Sequence, residues 1–374
     1  MSFRCNLKVP PPWSSPVILS RAKDPSGLAA AEGCFARLST TLGGFCQRAL
    51  AGVLFVGALG FAAEPVAPTV PDPIQPLLTK PLYQFTEAEV GLYLGYLQKT
   101  QPDLRQRIVH LARKNLGQPY ELYLLGEMPF ETYDPQPLYS IGKSDCLVFA
   151  EHTYAMALTR DWAGFMRLLQ RIRYRDGQIG VVTRNHFTET DWNPSNHWLV
   201  RDLTAELAGK HAVRFDERID RSRFLLNRYH LMVTVPVEQH RETYLPYADV
   251  GLADPQLRDG DCVEIVRGIV KPGTPVNDIF GGSAWIGHVG LVARGADGSL
   301  HIIHSSDPAV REETIGQFIA RETAHNAERD ATGKARLLGF KFLRLESDPL
   351  ANLRTLDGAD APRVTLPDGK AAGF

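Results

Sequence analysis

The sequence contains little of what several large protein classes require. Lys and Arg number 41 against 42 Asp and Glu in 374 residues, so the net charge of −1 provides no overall positive field for nucleic acid. None of the five cysteines forms a Cys-x-x-Cys pair, which argues against a thiolate-rich zinc site or a redox motif. The composition, 44% apolar and 22% charged, is that of a globular protein.

An apolar run, ALAGVLFVGALGF at residues 49–61, predicts a secretory signal peptide. Arg48 precedes the run and small residues follow it. It is shorter than the roughly 20 residues that span a bilayer, so no stable membrane anchor is expected. We therefore expect residues 1–63 to be a leader, cleaved after Ala62 or Ala63, and the protein to be exported to the periplasm or the exterior. A buried core helix is the alternative.

Composition divides the rest of the chain into three parts. Residues 64–85 are rich in proline and are expected to form an extended linker. Residues 86–346 carry the periodic patterns of a folded domain. Residues 347–374, rich in Asp, Pro, Gly and Ala, are expected to form a loose tail. The predicted catalytic domain is therefore 86–346.

The first half of this domain has helical patterns. Thr86-Glu87-Ala88-Glu89 is a capping box that begins the first predicted helix. Apolar residues at helical spacing predict the second, which ends near Gly117. The predicted helices cover about 86–99, 103–117, a segment that begins near Cys146, and 161–173.

From about Gln178 onward, short β-rich segments predict an antiparallel sheet. Ala296-Asp297-Gly298 is a hairpin turn signal between two of them. Helices followed by such a sheet indicate the α+β class, with N-terminal helices packed on a central antiparallel sheet. The predicted strands are 180–183, 230–235, 262–266, 289–293, 300–304 and 337–345.

Cys146 is the candidate nucleophile. In the first turn of a helix, the positive end of the helix dipole and free backbone N–H groups favour a thiolate, so we expect a sulfur that is charged near neutral pH. The alternatives are a buried helical cysteine and a disulfide with Cys262, which is otherwise expected to be a strand residue.

A nucleophilic thiol needs a histidine that accepts its proton and a polar group that orients the histidine. His288 begins the first strand of the predicted hairpin and His304 ends the second. We expect their side chains to meet across the strands, with His304 fixing the tautomer of His288. His301 is expected to face the opposite side of its strand, exposed or structural.

In this order and spacing, five segments resemble the NlpC-type papain-like cysteine hydrolases of bacterial cell walls, and more closely their N-acetylmuramoyl-L-alanine amidase-like branch. The segments are Leu116-Gly117-Gln118-Pro119-Tyr120, Asp145-Cys146, Leu257 to Asp261, Gly287-His288-Val289-Gly290 and Ile303-His304-Ser305. The resemblance implies a papain-like fold, Cys146 as nucleophile, His288 as base and His304 as orienting residue. It also implies that Tyr120 lies beside the sulfur and that the backbone N–H of the nucleophile forms an oxyanion hole.

An insertion between nucleophile and base contains polar and aromatic side chains suited to a muramyl-peptide. Arg184 could bind a carboxylate, and Phe187 or Trp192 could lie against a sugar ring. The alternative is that the two aromatic residues belong to the core and that Arg184 forms a surface ion pair. The expected substrate contacts are Tyr120, Asp145, Arg184, His186 and Trp192.

The expected function is hydrolysis of the N-acetylmuramoyl-L-alanine amide of peptidoglycan or muropeptides through a thioester, with no cofactor and no metal. One alternative is an endopeptidase that cuts within the stem peptide. Another is a zinc amidase using His186, His197, His288 or His304, although the sequence lacks an HxxxH or HExxH pair on a helix. A third is a non-catalytic wall-binding module.

Overall fold

A computed structural model of the chain describes residues 72–269, 280–281 and 284–357. The predicted leader, 1–63, and its cleavage site lie outside these residues. None of the described helices combines the length and the hydropathy of a membrane span.

The described helices precede, interrupt and follow the strands. They are α1 Gln75–Thr79, α2 Glu87–Thr100, α3 Leu104–Lys114, α4 Cys146–Ala157, α5 Trp162–Arg173, α6 Asn193–Ser195, α7 Thr204–Ala208, α8 Arg221–Tyr229, α9 Ile315–Thr323, α10 Asn326–Thr332 and α11 Pro349–Asp357. The four predicted helices correspond to α2–α5 and are confirmed.

Side-chain caps explain where these four helices begin. The capping box before α2 is present: Thr86 Oγ1 accepts a hydrogen bond from the Glu89 N–H at 3.3 Å, and the Glu89 carboxylate accepts one from the Thr86 N–H at 2.7 Å. Asp103, Asp145 and Asp161 cap α3, α4 and α5 in the same way, each accepting from the N–H three residues on.

Within the described residues, nine strands form one antiparallel sheet. They are β1 Val200–Asp202, β2 Val213–Ile219, β3 Glu238–Pro246, β4 Cys262–Gly268, β5 Phe280–Gly281, β6 Ala284–Arg294, β7 Leu300–Ser306, β8 Ala309–Thr314 and β9 Arg336–Leu345. The order across the sheet is β5-β2-β3-β9-β4-β6-β7-β8, and β1 pairs with β9. The predicted α+β class is therefore confirmed.

Four of the six predicted strands are present, as β4, β6, β7 and β9. The prediction is wrong for 180–183, where the Gly180 carbonyl accepts hydrogen bonds from the N–H groups of Thr183 and Arg184 and closes a turn. It is also wrong for 230–235, because His230 ends α8 in a left-handed conformation, φ 55°, and a loop follows. Strands β2 and β3 were not predicted, since charged residues interrupt their apolar alternation.

The predicted linker and tail need correction where the structure describes them. Residues 72–85 are not extended: α1 and a following helical turn bury Leu77, Leu82 and Phe85 in the main core. In the predicted tail, α11 buries Leu353 in the same core. Burial of these apolar side chains stabilises folded structure in both segments. Their overall composition, rich in proline and polar residues, does not reveal this.

The two faces of the sheet bury two different cores. Helices α2–α5 pack on one face, where Cys262 of β4 lies among apolar side chains. Val263 and Ile265 point to the other face, toward α7 and α9. This alternation places Cys262 as a buried strand residue, as predicted, and both Cys146 and Cys262 are free thiols. The disulfide alternative is therefore wrong.

Candidate active site

The hairpin of β6 and β7 brings His288 and His304 together. The two strands pair from Leu291↔Ile303 to Arg294↔Leu300, and both histidines lie just beyond this paired part. His288 Nε2 is 2.8 Å from His304 Nδ1, and the rings meet edge to face. The predicted contact between the two histidines is confirmed.

Gly290 makes room for this contact. A Cβ atom at position 290 would lie 2.7 Å from Cγ1 of Ile302 and 3.1 Å from Cβ of His304. Any side chain would therefore push β7 away and separate the two imidazoles.

Helix α4 directs Cys146 at the strand that carries His288. The helix packs against β6, and the Cys146 thiol interacts with the backbone N–H of Val289, the residue after His288, which lowers its pKa. Cys146 and His288 are both half-buried, so each side chain is partly open to solvent.

The resting thiol and imidazole are both neutral. Burial and the Asp145 carboxylate raise the pKa of Cys146 to about 12, although backbone N–H groups, that of Val289 first among them, lower it. Burial, followed by the neighbouring His304 and Arg267, lowers the pKa of His288 well below its usual range. The expected thiolate near neutral pH is therefore wrong for the free protein, because burial outweighs the helix terminus.

A pair of buried serines joins the helix to the hairpin. The hydroxyl of Ser305, the residue after His304, donates to the carbonyl oxygen of Ser144 at 2.9 Å. The Ser144 hydroxyl donates in turn to Gln118 at 2.7 Å. This link was not predicted, and it joins the segment before the nucleophile to the strand of His304.

Tyr120 lies beside the nucleophile, as predicted. Its backbone forms a bridge with Ser144, two residues before Cys146. Burial raises its pKa, and so do the adjacent Cys146 and Asp145. The phenol is therefore neutral and able to donate a hydrogen bond at physiological pH.

The other four expected substrate contacts have structural partners. Asp145 caps α4, with Oδ1 accepting from the Val148 N–H at 2.8 Å. Trp192 is 1% exposed and donates to Glu151, so it belongs to the core, as does Phe187. These positions agree with the alternative that the aromatic residues of the insertion are interior.

Arg184 and His186 likewise lie inside the protein. Arg184 donates to Glu127 at 2.7 Å and to Asp134 at 2.9 Å, with 9% of its side chain exposed. His186 Nε2 is 2.6 Å from the Val181 carbonyl oxygen. The prediction that Arg184, His186 and Trp192 bind the substrate is therefore wrong. The alternative for Arg184, a surface ion pair, is also wrong, because its ion pair is buried.

His301 takes no part in the row of histidines. Its Nδ1 is 2.9 Å from Glu312, and its Nε2 lies 2.9 Å from the Ser299 hydroxyl. The prediction of a structural His301 is confirmed. Among the described residues, no group of three or more His, Cys, Asp or Glu side chains is arranged to hold a metal ion.

Glu313 continues the row of side chains that begins with His288 and His304. Its carboxylate lies 2.8 Å from His304 Nε2 and accepts from Arg321 at 2.8 Å. Glu313 was not predicted from the sequence. The only signal was the short β8 segment after His304, whose register could not be known from the sequence.

A family model described as AmiA-like, N-acetylmuramoyl-L-alanine amidase-like, matches residues 110–322. This range contains Tyr120, Cys146, His288, His304 and Glu313. No curated protein sequence matches the chain.

Solved structures share the fold. A Legionella pneumophila protein of the DUF1460 family model is 19% identical, with a TM-score of 0.58 over 69% of this chain and 94% of that chain. An N-acetylmuramoyl-L-alanine amidase from Bacteroides uniformis is 22% identical, with a TM-score of 0.48 over 65% of this chain and 99% of that chain. The first similarity shows a common α+β fold.

Proposed function

The chain belongs to the AmiA-like, N-acetylmuramoyl-L-alanine amidase-like family, and from this premise we propose that it is a cysteine hydrolase of peptidoglycan or muropeptides. The bond cleaved is the amide between the muramyl lactyl group and L-alanine. The observation that carries the proposal is the contact of the Cys146 sulfur with the strand of His288, whose imidazole is hydrogen-bonded to His304 at 2.8 Å.

The reaction begins from the neutral pair. As the Cys146 sulfur attacks the amide carbonyl carbon, the thiol proton passes to His288. The C–N bond then breaks, and His288 returns the proton to the leaving nitrogen of L-alanine. Water adds to the thioester with His288 again as base, and the lactyl carboxylic acid and the free thiol are released.

Two donors stand beside the carbonyl oxygen in this proposal. The backbone N–H of Cys146 is in the first turn of α4, where it has no carbonyl partner within the helix. The neutral phenol of Tyr120 is the second. Donors aimed at the developing oxyanion contribute about 3–4 kcal/mol of transition-state stabilisation each.

Mass spectrometry of muropeptides with a complete stem peptide tests the proposal. The expected products are the muramyl sugar with a free lactyl carboxylate and an intact peptide that begins with L-alanine. Cys146→Ala is expected to abolish the reaction, whereas Cys262→Ala, at the buried thiol, is the matched control that retains it. A shortened stem peptide would identify an endopeptidase instead. Activity retained in Cys146→Ala and lost to a chelator would identify a zinc enzyme.

We also propose that the protein is exported, on the basis of the apolar segment at 49–61. N-terminal sequencing of the protein recovered from the cell envelope or the medium is expected to give a chain that begins at Ala63 or Glu64. A full-length chain recovered only from the cytosol would refute export.

A further inference from the structure

A continuous row of charged and polar side chains leads away from the two histidines. His304 Nε2 lies 2.8 Å from Glu313, and Glu313 binds Arg321 at 2.8 Å. Arg321 binds Glu322, which also binds Arg267 at 2.8 Å. Helix α9 supplies the middle of the row, and its Phe318 covers the buried ring of His304.

The row returns to the strand on which it began. The stem of Arg267 lies against Gly287, the residue before His288: a Cβ atom at position 287 would be 2.6 Å from Cδ of Arg267. The side chains therefore form a closed circuit from His288 through β7, β8, α9 and β4 back to β6. Every member between the imidazoles and Arg267 has a partner on both sides, so none can turn without breaking an ion pair.

The charge on Glu313 fixes the direction of the hydrogen bonds. Burial raises its pKa, but the hydrogen bond from His304 and the charge of Arg321 outweigh burial and lower the pKa to about 2. An ionised carboxylate only accepts hydrogen bonds. His304 must therefore carry its proton on Nε2, and in the neutral ring Nδ1 is then an acceptor.

The tautomer of His304 determines the tautomer of His288. Because His304 Nδ1 accepts, the contact at 2.8 Å requires a proton on His288 Nε2. In neutral His288 the remaining nitrogen, Nδ1, then has a free lone pair. That nitrogen is the one available to take a proton from the thiol.

We propose that Glu313 is a positioning residue: through His304, its carboxylate holds His288 in the tautomer whose Nδ1 is unprotonated. The role rests on the proposed cysteine hydrolase function. Glu313 touches neither substrate nor sulfur, and it moves no proton itself. It also offsets burial and the positive charges of Arg311 and Arg321, which together lower the pKa of His304.

Glu313→Gln is the direct test, because glutamine has the same shape but its amide can donate. A donated hydrogen bond to His304 Nε2 would reverse both histidines and place the proton on His288 Nδ1. With muramyl dipeptide as substrate, kcat is expected to fall about tenfold or more while KM changes less than about twofold. The Glu313 carboxylate raises the pKa of the adjacent imidazole, so its removal is expected to lower that pKa. The acid limb of the pH profile is therefore expected to move to lower pH.

Alkylation of Cys146 provides a second measurement that needs no muropeptide. Iodoacetamide is applied at neutral pH to the full chain, and modification is read on the tryptic peptide 144–160, whose one cysteine is Cys146. Glu313→Gln is expected to slow alkylation several-fold. If the wild type alkylates but does not hydrolyse muropeptides, the proposed function fails while the role of Glu313 is still tested.

Glu312→Gln is the matched control. Glu312 is the next residue along β8 and also binds a histidine, His301, at 2.9 Å, together with Arg113 at 2.7 Å. Glu312→Gln therefore makes the same chemical change at a carboxylate that does not contact His304. Turnover and alkylation are expected to match the wild type.

A double mutant separates positioning from a purely structural role. If Glu313 acts through His304, then His304→Ala combined with Glu313→Gln is expected to be no slower than His304→Ala alone. Additive losses, or wild-type turnover and alkylation in Glu313→Gln, would overturn the proposal. Should the glutamine variant not fold, Glu313→Asp retains the charge but shortens its reach to His304. A fall in kcat at an unchanged melting temperature then supports the role, and full activity refutes it.

Discussion

Ser305 donates a hydrogen bond from its hydroxyl to the carbonyl oxygen of Ser144 at 2.9 Å, and this contact joins the strand of His304 to the start of the nucleophile helix. Ser305 follows His304, and Ser144 lies two residues before Cys146. The contact therefore connects the two halves of the site across a sequence separation of 161 residues.

Removal of this contact is expected to disturb the site more than the fold. Ser305→Ala leaves the buried Ser144 carbonyl without this donor, and a lost neutral hydrogen bond costs about 1 kcal/mol of folding free energy. Catalysis is expected to fall further, about tenfold in kcat/KM, because small displacements of α4 separate the sulfur from His288. Urea unfolding and muropeptide turnover measure the two effects.

Ser222→Ala is a suitable control for this change, since the Ser222 hydroxyl also donates to a carbonyl oxygen, that of Val235, at 3.1 Å. It lies in α8, away from the histidines. A similar loss of stability with unchanged turnover is expected. Equal losses of turnover in both variants would show that the Ser305 contact acts only through general stability.

The neutral thiol and imidazole predict a specific pH dependence of alkylation. Because burial holds the pKa of Cys146 at about 12, the thiolate fraction is small at neutral pH and grows tenfold with each unit. The rate of iodoacetamide modification of Cys146 is therefore expected to rise steadily from about pH 6 to about pH 9. A rate that is flat across this range would indicate a preformed thiolate–imidazolium pair and contradict the neutral ground state.

Local chemistry explains the features that could be predicted from the sequence. A capping side chain acts within three residues, so the starts of α2–α5 were visible in Thr86, Asp103, Asp145 and Asp161. The turn around Gly298, φ 81°, fixes the register of β6 and β7. That register is sufficient to predict the meeting of His288 and His304.

The missed features depend on contacts between distant segments. Arg184 is paired with Glu127, 57 residues upstream, and nothing in either segment indicates the other. Glu313 is connected to His304 only through the register of a second hairpin. A charged side chain in an irregular segment is compatible with a substrate contact and with a buried ion pair, and only the tertiary structure distinguishes the two.

Arg184→Met is expected to destabilise the fold, in contrast to the substrate role expected from the sequence. The change leaves Glu127, whose side chain is fully buried, without its closest positive partner. Breaking such a pair costs about 3 kcal/mol of folding free energy. Urea unfolding is the measurement, with Arg241→Met, at an exposed pair with Asp216, as a control of negligible effect. Unchanged stability together with a raised KM would restore the substrate role.

A buried carboxyl on β4 predicts how stability depends on pH. Glu264 is fully buried, next to Lys341 across the β4–β9 ladder, and its Oε2 accepts from Asn193 at 3.3 Å. Burial raises its pKa from 4.5 to about 8, although Lys341 lowers it. The folded protein therefore holds this proton more tightly than the unfolded chain.

The contribution of Glu264 to stability falls as pH rises, because only the folded protein raises its pKa. The stabilising contribution of the Glu264 proton is complete below the unfolded pKa of 4.5 and is lost as pH rises toward about 8, at up to about 1.4 kcal/mol for each unit. Glu264→Gln keeps an acceptor for Asn193 and never ionises. It is expected to exceed the wild type in stability by up to about 4 kcal/mol near pH 8 and to come close to it near pH 5. Urea unfolding at both pH values tests this, with Glu206→Gln, exposed on α7, as the control. Parallel pH profiles for wild type and Glu264→Gln would show that Glu264 is already ionised in the folded protein, held by Lys341.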